Sequence, residues 1–301
     1  MRRFVLVAAL SLGSCEREPE AGFDPAILGR WDVTVKGEDG YPLWFEIVDG
    51  EAGLTGRLQG RFGHALDLER AEASGTHLTM EVNGTTYHAD LEDSTWNGTG
   101  EGEDGAKFVW VGERAPELPA PVEIAWGEPI RLFNGVDLAG WVPRHPSEPN
   151  RWKAEEGVLM NEDTGSDLVT EATFRDFQLH AEVMVPEGSN SGIYLRGRYE
   201  VQVQDDYGKE PHARGMGGIY GQLAPAENAA LPAGEWQSFD ITLLGRTVTV
   251  VLNGKTIIDR QEIPGITGGA LDSREAEPGP IFLQGDHGRV LYRNLLLTPA
   301  L

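Results

Sequence analysis

The sequence of 301 residues contains a single cysteine, Cys15, so the chain cannot form an internal disulfide. Basic residues are scarce: 25 Lys and Arg stand against 48 Asp and Glu, for a net charge of −23. A field of that sign repels phosphate backbones, so we expect no nucleic-acid partner. The 39 glycines and the 40% of hydrophobic residues are typical of a folded, turn-rich protein rather than of a disordered chain.

Several motifs that mark enzyme classes are absent. The chain has no HExxH, no cysteine cluster, no acidic loop with calcium spacing, no phosphate-binding loop and no nucleophile elbow. Long apolar patterns with a period of 3.6 residues are missing after the first residues of the chain. The remaining signals are short alternating runs separated by Gly, Asp and Asn, which predict strands.

The first 15 residues resemble a bacterial lipoprotein signal. Arg2 and Arg3 form a basic start, residues 4–12 form an apolar core too short to span a membrane as a mature helix, and LGSC matches the lipobox. The resemblance implies cleavage before Cys15 and lipidation of its thiol. The protein is then expected in the bacterial cell envelope, periplasmic or surface-exposed, with a membrane as partner through its lipid anchor. An ordinary secretory signal with a chance cysteine is the alternative.

After a polar tether at residues 16–23, the sequence predicts a small all-β unit at residues 24–114. Its short alternating runs favour a small β-barrel or a meander. Gly29 and Trp31 resemble the Gly-x-Trp opening of lipocalin-like barrels, although a buried tryptophan would explain the same pair. Asn-Gly pairs predict hairpin turns; they occur at Asn83-Gly84, Asn97-Gly98 and Asn253-Gly254.

The proline-rich stretch 115–127 is expected to be a linker, because its prolines stiffen the chain and remove backbone donors. Residues 128–301 then continue with strand-like runs. They predict an all-β sandwich of two antiparallel sheets, one of them curved enough to offer a groove.

One strand of this second unit alternates in an unusual way. In YEVQVQ, residues 199–204, tyrosine and valines point to one face, and Glu200, Gln202 and Gln204 point to the other. We expect Arg196 to share the polar face. Glu182 is expected beside them, because the run that contains it is placed as an antiparallel neighbour.

Such a face suits a sugar, because carboxylate, amide and guanidinium groups satisfy hydroxyls while Tyr194 or Tyr220 stacks on a ring. A solvated sheet face with a structural ion pair is an equally good explanation of the pattern. A second cluster, Gln284, Asp286 and His287, lies in a glycine-lined turn. His287 could act as acid, base or metal ligand there, or the segment could be a plain turn.

Six segments resemble, in chain order, the 3-keto-disaccharide hydrolase family: LFNGVDLAGW (132–141), NSGIYLR (190–196), YEVQVQD (199–205), GGIYGQ (217–222), PAGEW (232–236) and LQGDHGRVLYRNLLLTPAL (283–301). The resemblance implies a concanavalin-like jelly-roll sandwich, preceded here by the small β-barrel or meander domain. It also implies cleavage of glycosides already oxidised at C3, that is, an oxidised (3-keto) sugar as substrate.

The same resemblance implies roles for individual residues. Glu200 and His287 would be base and acid, in an order that it leaves open, and Arg196 would stabilise an enediolate. A divalent metal cation could assist, and its identity is unknown. The hydroxyl-binding residues would be Glu182, Gln202 and Gln284. Two other functions compete with the enzyme: a non-catalytic carbohydrate-binding module, and a structural surface lipoprotein.

Overall fold

A computed structural model describes residues 22–38 and 40–301, so the predicted lipobox at Cys15 lies outside the described residues. Strands dominate this part of the chain, and its one helical element is the single 3-10 turn Pro25–Ile27. Asp24 caps that turn, because its carboxylate accepts a hydrogen bond from the backbone N–H of Ala26 at 2.9 Å. Within the described ranges, no helix has the length and apolar character needed to cross a membrane. The prediction of an all-β fold is confirmed.

Nine antiparallel strands form the first sheet, in the order β4-β3-β2-β1-β9-β8-β7-β6-β5. Their bounds are β1 (Gly29–Val35), β2 (Pro42–Gly50), β3 (Gly53–Gln59), β4 (Leu66–Asp67), β5 (Arg70–Ser74), β6 (His77–Val82), β7 (Thr85–Glu92), β8 (Thr95–Glu101) and β9 (Lys107–Arg114). The sheet curls so that β3 approaches β5, which makes a small barrel. Alternate residues of each strand fill its interior, for example Leu78, Met80 and Val82 of β6.

Two of the predicted Asn-Gly turns are confirmed. Asn83 and Gly84 have φ angles of 48° and 70° and connect β6 to β7. Asn253 and Gly254, with φ angles of 52° and 79°, lie between Thr247–Leu252 and Lys255–Glu262 in the second unit. Two successive positive φ angles match the right-handed twist of hairpin strands, which explains why the pair works there.

The third predicted turn is wrong, because Asn97 and Gly98 lie inside β8. The turn before β8 is made by Asp93 and Ser94, with φ angles of 48° and 66°. Gly98 serves packing instead: a Cβ atom there would lie 2.2 Å from the ring of Trp110 in the adjacent strand. The glycine therefore makes room for an indole in the barrel wall.

Thirteen strands form two further sheets. Their bounds are β10 (Ile130–Arg131), β11 (Trp141–Pro143), β12 (Trp152–Glu155), β13 (Val158–Asn161), β14 (Leu168–Thr170), β15 (Phe177–Met184), β16 (Asn190–Leu195), β17 (Tyr199–Gln204), β18 (Trp236–Leu244), β19 (Thr247–Leu252), β20 (Lys255–Glu262), β21 (Phe282–Leu283) and β22 (Val290–Pro299). One sheet has the order β12-β13-β22-β15-β18-β19-β20, with β10 beside β22, and the other has the order β11-β14-β21-β16-β17.

The two sheets pack face to face over one apolar core, which confirms the jelly-roll prediction. Leu179 and Phe239 of the larger sheet and Ile193 and Val201 of the smaller sheet belong to the same buried cluster. Because side chains alternate along β17, the burial of Val201 turns its neighbour Glu200 to the opposite face of the smaller sheet. That face carries the site described next.

Candidate functional site

A cavity of about 330 Å³ lies on the face of the smaller sheet that points away from the core. Strands β16, β17 and β21 form its floor, and the loop between β3 and β4 of the barrel contributes to its wall. Seven of the residues predicted from the sequence line it: Tyr194, Glu200, Gln202, Tyr220, Gln284, Asp286 and His287.

Two larger cavities, of about 410 and 520 Å³, lie elsewhere between the barrel and the jelly roll. Several of their charged side chains already have partners. Arg246 donates to Glu262 Oε1 at 2.8 Å, and Arg30 pairs with Glu275. We therefore place the candidate site in the smaller cavity, where titratable and amide groups face open space.

Glu200 lies at the floor of this cavity, with only 3% of its surface exposed. Tyr194 Oη donates a hydrogen bond to Glu200 Oε2 at 2.9 Å. Burial raises the pKa of the Glu200 carboxyl to about 8, and the hydrogen bond from Tyr194 and the nearby His287 only partly oppose this effect. Gly192 makes the position possible, because a Cβ atom there would lie 2.5 Å from Glu200 Oε1.

Tyr194 does not serve as a sugar-stacking platform, contrary to one of the two predicted choices. Its ring is 1% exposed and is stacked on Phe282, with centroids 4.0 Å apart. Burial raises the pKa of the Tyr194 phenol, which keeps it a neutral donor to Glu200. Tyr220 is half-buried at the cavity wall, where its position is compatible with ring contact.

Gln202 adjoins the second oxygen of this carboxyl, because one end of its amide lies 3.0 Å from Glu200 Oε1. The amide suits both protonation states: its nitrogen donates to an ionised carboxylate, and its oxygen accepts from a protonated one. Gln284 lines the same wall, and its Oε1 is buried with no hydrogen-bond partner among the described residues. That oxygen is available to a ligand hydroxyl.

His287 and Asp286 lie at the cavity mouth, half exposed, and His287 Nδ1 is hydrogen-bonded to Asp286 Oδ1. This bond raises the pKa of the imidazole, and the carboxylates around it act in the same direction. The turn that carries both residues is held from below, since Asn161 Nδ2 donates to the carbonyls of Gly285 and Gly288 at 2.8 Å. The GDHG segment therefore holds its histidine beside the cavity.

Arg144 supplies the guanidinium of the cavity, a residue that the strand patterns did not identify. It donates to Asp167 Oδ2 at 3.2 Å and to the carbonyl of Gly269 at 3.0 Å. Burial raises the pKa of Asp167, which also accepts from the Gly285 N–H at 2.9 Å. The available signal was an arginine between two prolines just after the LFNGVDLAGW segment, in a sequence with few basic residues.

Arg196 does not reach the cavity, so the expectation that it shares a face with Glu200 is wrong. It lies in the turn between β16 and β17 with φ of 53° and is almost completely buried. Its guanidinium donates to Tyr199 Oη at 3.1 Å and to the carbonyl of Gly245 at 2.6 Å. The left-handed turn residue breaks the alternation on which the expectation relied, and Arg196 packs on the Tyr199 side of the strand pair.

Glu182 is also absent from the cavity. It lies on β15, which pairs with β18 and β22 in the larger sheet and not with β16. Its carboxylate binds Arg293 and accepts from Asn294 Nδ2 at 2.9 Å. The expected alignment with Glu200 assumed that runs consecutive in sequence pair with each other, whereas the jelly roll places these two in different sheets.

The described residues contain no group of three His, Cys, Asp or Glu side chains that could hold a metal ion. The donors nearest the cavity are Glu200, Asp167, Asp286 and His287, and they already bind Tyr194, Arg144 or each other.

Comparison with known proteins identifies relatives of this chain. A curated relative, a 3-keto-disaccharide hydrolase of Bacteroides thetaiotaomicron, is 23% identical over 167 residues. The aligned region covers 43% of this chain, and this chain spans only 57% of the length of that relative.

Solved structures also align with the chain. A protein of Parabacteroides distasonis ATCC 8503, described as a candidate glycosyl hydrolase, is 30% identical with a TM-score of 0.49. The alignment covers 60% of this chain and 93% of that one. A carbohydrate-binding module of Bacillus subtilis is 12% identical with a TM-score of 0.33, covering 52% and 93% of the two chains.

A sequence profile of a known domain family provides the assignment. It matches residues 128–298, which include all three strands that form the cavity floor. The match covers more than half of the chain, so this protein belongs to the 3-keto-alpha-glucoside-1,2-lyase-like domain family.

Proposed function

We propose that this protein is a carbohydrate-active enzyme that cleaves 3-keto-glycosides by removing the proton on C2 and eliminating the substituent on C1. The observation that carries the proposal is the buried Glu200 carboxyl, whose pKa is raised to about 8, in the same small cavity as an imidazole with a raised pKa. Perturbed titratable groups that converge in a cleft are typical of acid-base catalysis. The family and the name of the curated relative support the substrate class.

The chemistry follows from the ketone at C3. The ketone acidifies the C2 proton, because the electron pair left behind is delocalised onto the carbonyl oxygen as an enediolate. A base takes the proton, the C1–O bond breaks with its electron pair, and an acid protonates the departing oxygen. The products are an alcohol and a 2-hydroxy-3-keto sugar with a C1–C2 double bond. Addition of water across that bond gives the free 3-keto sugar, so the net result is hydrolysis.

We assign the base to Glu200, because it lies at the cavity floor with Tyr194 fixing one oxygen of its carboxyl. A carboxylate whose conjugate acid has a pKa of about 8 is a much stronger base than an ordinary glutamate. The cost is that Glu200 is mostly protonated at neutral pH. The rate of proton abstraction should therefore rise with pH until about 8 and then level off.

We assign the acid to His287, because it lies at the mouth, where a leaving group departs to solvent. Its raised pKa keeps the imidazole protonated to higher pH than usual. The rate of cleavage should fall at the higher pH where His287 loses this proton. We infer that Arg144, the guanidinium at the wall, stabilises the enediolate oxygen. Gln202 and Gln284 would hold ring hydroxyls.

The test uses a 3-keto-glucoside labelled with deuterium at C2. Elimination requires loss of the label to solvent and a primary isotope effect on turnover, whereas direct displacement at C1 retains the label. The unoxidised glucoside is the matched control and should not react, because its C2 proton is not acidic. The reactions are run with and without chelator. Release of product with the label retained would refute the elimination, and binding without any conversion would favour a carbohydrate-binding module.

A further inference from the structure

The barrel loop that connects β3 to β4, residues 60–65, forms part of the wall of the sugar cavity. Phe62 and Gly63 line the cavity together with Glu200 and His287. Residues 60–65 precede the matched domain, which begins at residue 128, so this part of the wall does not come from the family domain. The cavity is therefore a joint product of the two units.

The loop is held in place by contacts built into both units. Within the barrel, the buried Gln59 donates through Nε2 to the carbonyls of Gly60 and Gly63 at 3.0 and 3.1 Å. Across the boundary, the N–H of Gly269 donates to the carbonyl of Arg61 at 2.9 Å. A loop tied from both sides holds a side chain in a fixed position beside the cavity.

Two glycines of the jelly roll fit closely against the same loop. A Cβ atom on Gly268 would lie 2.5 Å from the carbonyl oxygen of Gly63. A Cβ atom on Gly221 would lie 2.3 Å from Cβ of His64. Side chains at either position would push the loop away from the cavity, so the surface of the jelly roll is shaped to receive it.

A tryptophan of the barrel inserts into the core of the jelly roll and so holds the two units together. Trp44 on β2 is 0% exposed and packs in the core cluster of the jelly roll rather than in the barrel core. Its Nε1 donates to the carbonyl of Ile266 at 2.8 Å, two residues before Gly268. The barrel is thus anchored beside the segment that contacts the loop.

Phe62 is the residue of this loop that is most suited to contact a ligand, because it lines the cavity and 72% of its surface is exposed. A phenylalanine with this exposure gains little from burial within the chain itself. The guanidinium carbon of Arg61 lies 5.2 Å from the centroid of its ring, which helps to orient it. The cavity itself, at about 330 Å³, is at the small end of ligand sites, so a second sugar ring would extend beyond it toward the mouth.

We propose that Phe62 is a stacking platform for the ring of the leaving group, so that the barrel selects disaccharides over glycosides with a small aglycone. A pyranose presents a face of C–H groups that packs on an aromatic ring, and the aromatic ring excludes water from this contact. The inference rests on the proposed function, since it names the leaving group of the same reaction. It places the second ring beside His287, the proposed proton donor at the mouth.

The test measures binding in the Glu200→Gln background, which prevents turnover, by titration calorimetry with a 3-keto-disaccharide and with methyl 3-keto-glucoside. Phe62→Ala should weaken disaccharide binding by roughly 3- to 10-fold, the scale of an aromatic stacking contact. Binding of the methyl glycoside should not change. Phe62→Trp should restore the disaccharide preference. Tyr207→Ala is the matched control, because Tyr207 is an aromatic residue with 58% of its surface exposed that does not line the cavity.

The outcomes separate this inference from the proposed reaction. If Phe62→Ala weakens the binding of both ligands equally, or of neither, the stacking platform is refuted. This holds even if the wild-type protein cleaves both 3-keto-glycosides. If the binding contrast appears but the wild-type protein converts neither sugar, the platform stands and the reaction is refuted. If Phe62→Ala instead abolishes binding to phosphatidylcholine vesicles and leaves sugar binding intact, the ring serves a lipid surface and the inference is wrong.

Discussion

Replacing Glu200 by glutamine should make the protein more stable above neutral pH. The carboxyl has a pKa of 4.5 in an unfolded chain and about 8 in the folded protein, because burial disfavours the ionised form. Below pH about 4.5 the group is protonated in both states and contributes no pH dependence. Between pH 4.5 and about 8 the Glu200 carboxyl is ionised in the unfolded chain but protonated in the folded protein, so folding becomes less favourable as pH rises.

The size of the effect follows from the gap between the two pKa values. A gap from 4.5 to about 8 corresponds to on the order of 5 kcal/mol of lost stability, fully present above pH about 8. Glutamine has nearly the same shape, carries no charge at any pH, and can still accept the hydrogen bond from Tyr194. The variant should therefore match the wild type near pH 4.5 and exceed it by several kcal/mol at pH 9.

The measurement is the free energy of unfolding in urea for both proteins at pH 5, 6, 7, 8 and 9. Asp32, whose pKa is also raised by burial to about 8, will lower the stability of both proteins as pH rises, and its effect cancels in the difference. The exposed Glu187→Gln is the control and should shift stability by less than about 0.5 kcal/mol at every pH. If the difference in the free energy of unfolding between wild type and Glu200→Gln does not grow with pH, burial does not raise the pKa of Glu200 as argued.

Four further predictions concern activity, folding and anchoring. His287→Ala should lower turnover of a 3-keto-glycoside on the order of 100-fold in steady-state assays, with the protein still folded, and full activity would remove it from the mechanism. Arg144→Gln should lower kcat by a similar factor of about 100 through loss of a charge at the enediolate, while an effect on KM alone would assign it to binding. Val201→Asp should unfold the jelly roll in circular dichroism, because it puts an unpaired charge in the core, and a native spectrum would contradict the strand parity. Cys15→Ser should abolish metabolic labelling with lipid, and unchanged labelling would disprove the lipobox.

Strand parity could be predicted from the sequence where a strand is long and regular. In β17 the alternation alone placed Val201 in the core and Glu200 on the other face, and the structure agrees. Local turn chemistry was similarly reliable at Asn253-Gly254. These predictions succeeded because each depends on neighbours within a few residues.

The remaining parts of the site depend on contacts between distant segments. Glu182 was misplaced because nothing in its own strand reveals that β15 and β16 belong to different sheets. Arg196 was misplaced because a single left-handed residue interrupts the alternation. Arg144 and Phe62 reach the cavity from loops that carry no periodic pattern, and one of those loops belongs to the barrel. Only the assembled tertiary structure brings such residues together.

The position of β22 has a consequence for the order of events during synthesis. This strand, residues 290–299, lies inside the larger sheet between β13 and β15. The strands on its two sides therefore cannot join into one sheet until β22 has emerged from the ribosome. The barrel differs, because most of its strands pair with their immediate neighbours in sequence, and such local pairings form quickly. The barrel can therefore be complete while the jelly roll is still open. A nascent chain should therefore present a finished barrel, with Phe62 exposed, before β22 completes the larger sheet of the jelly roll.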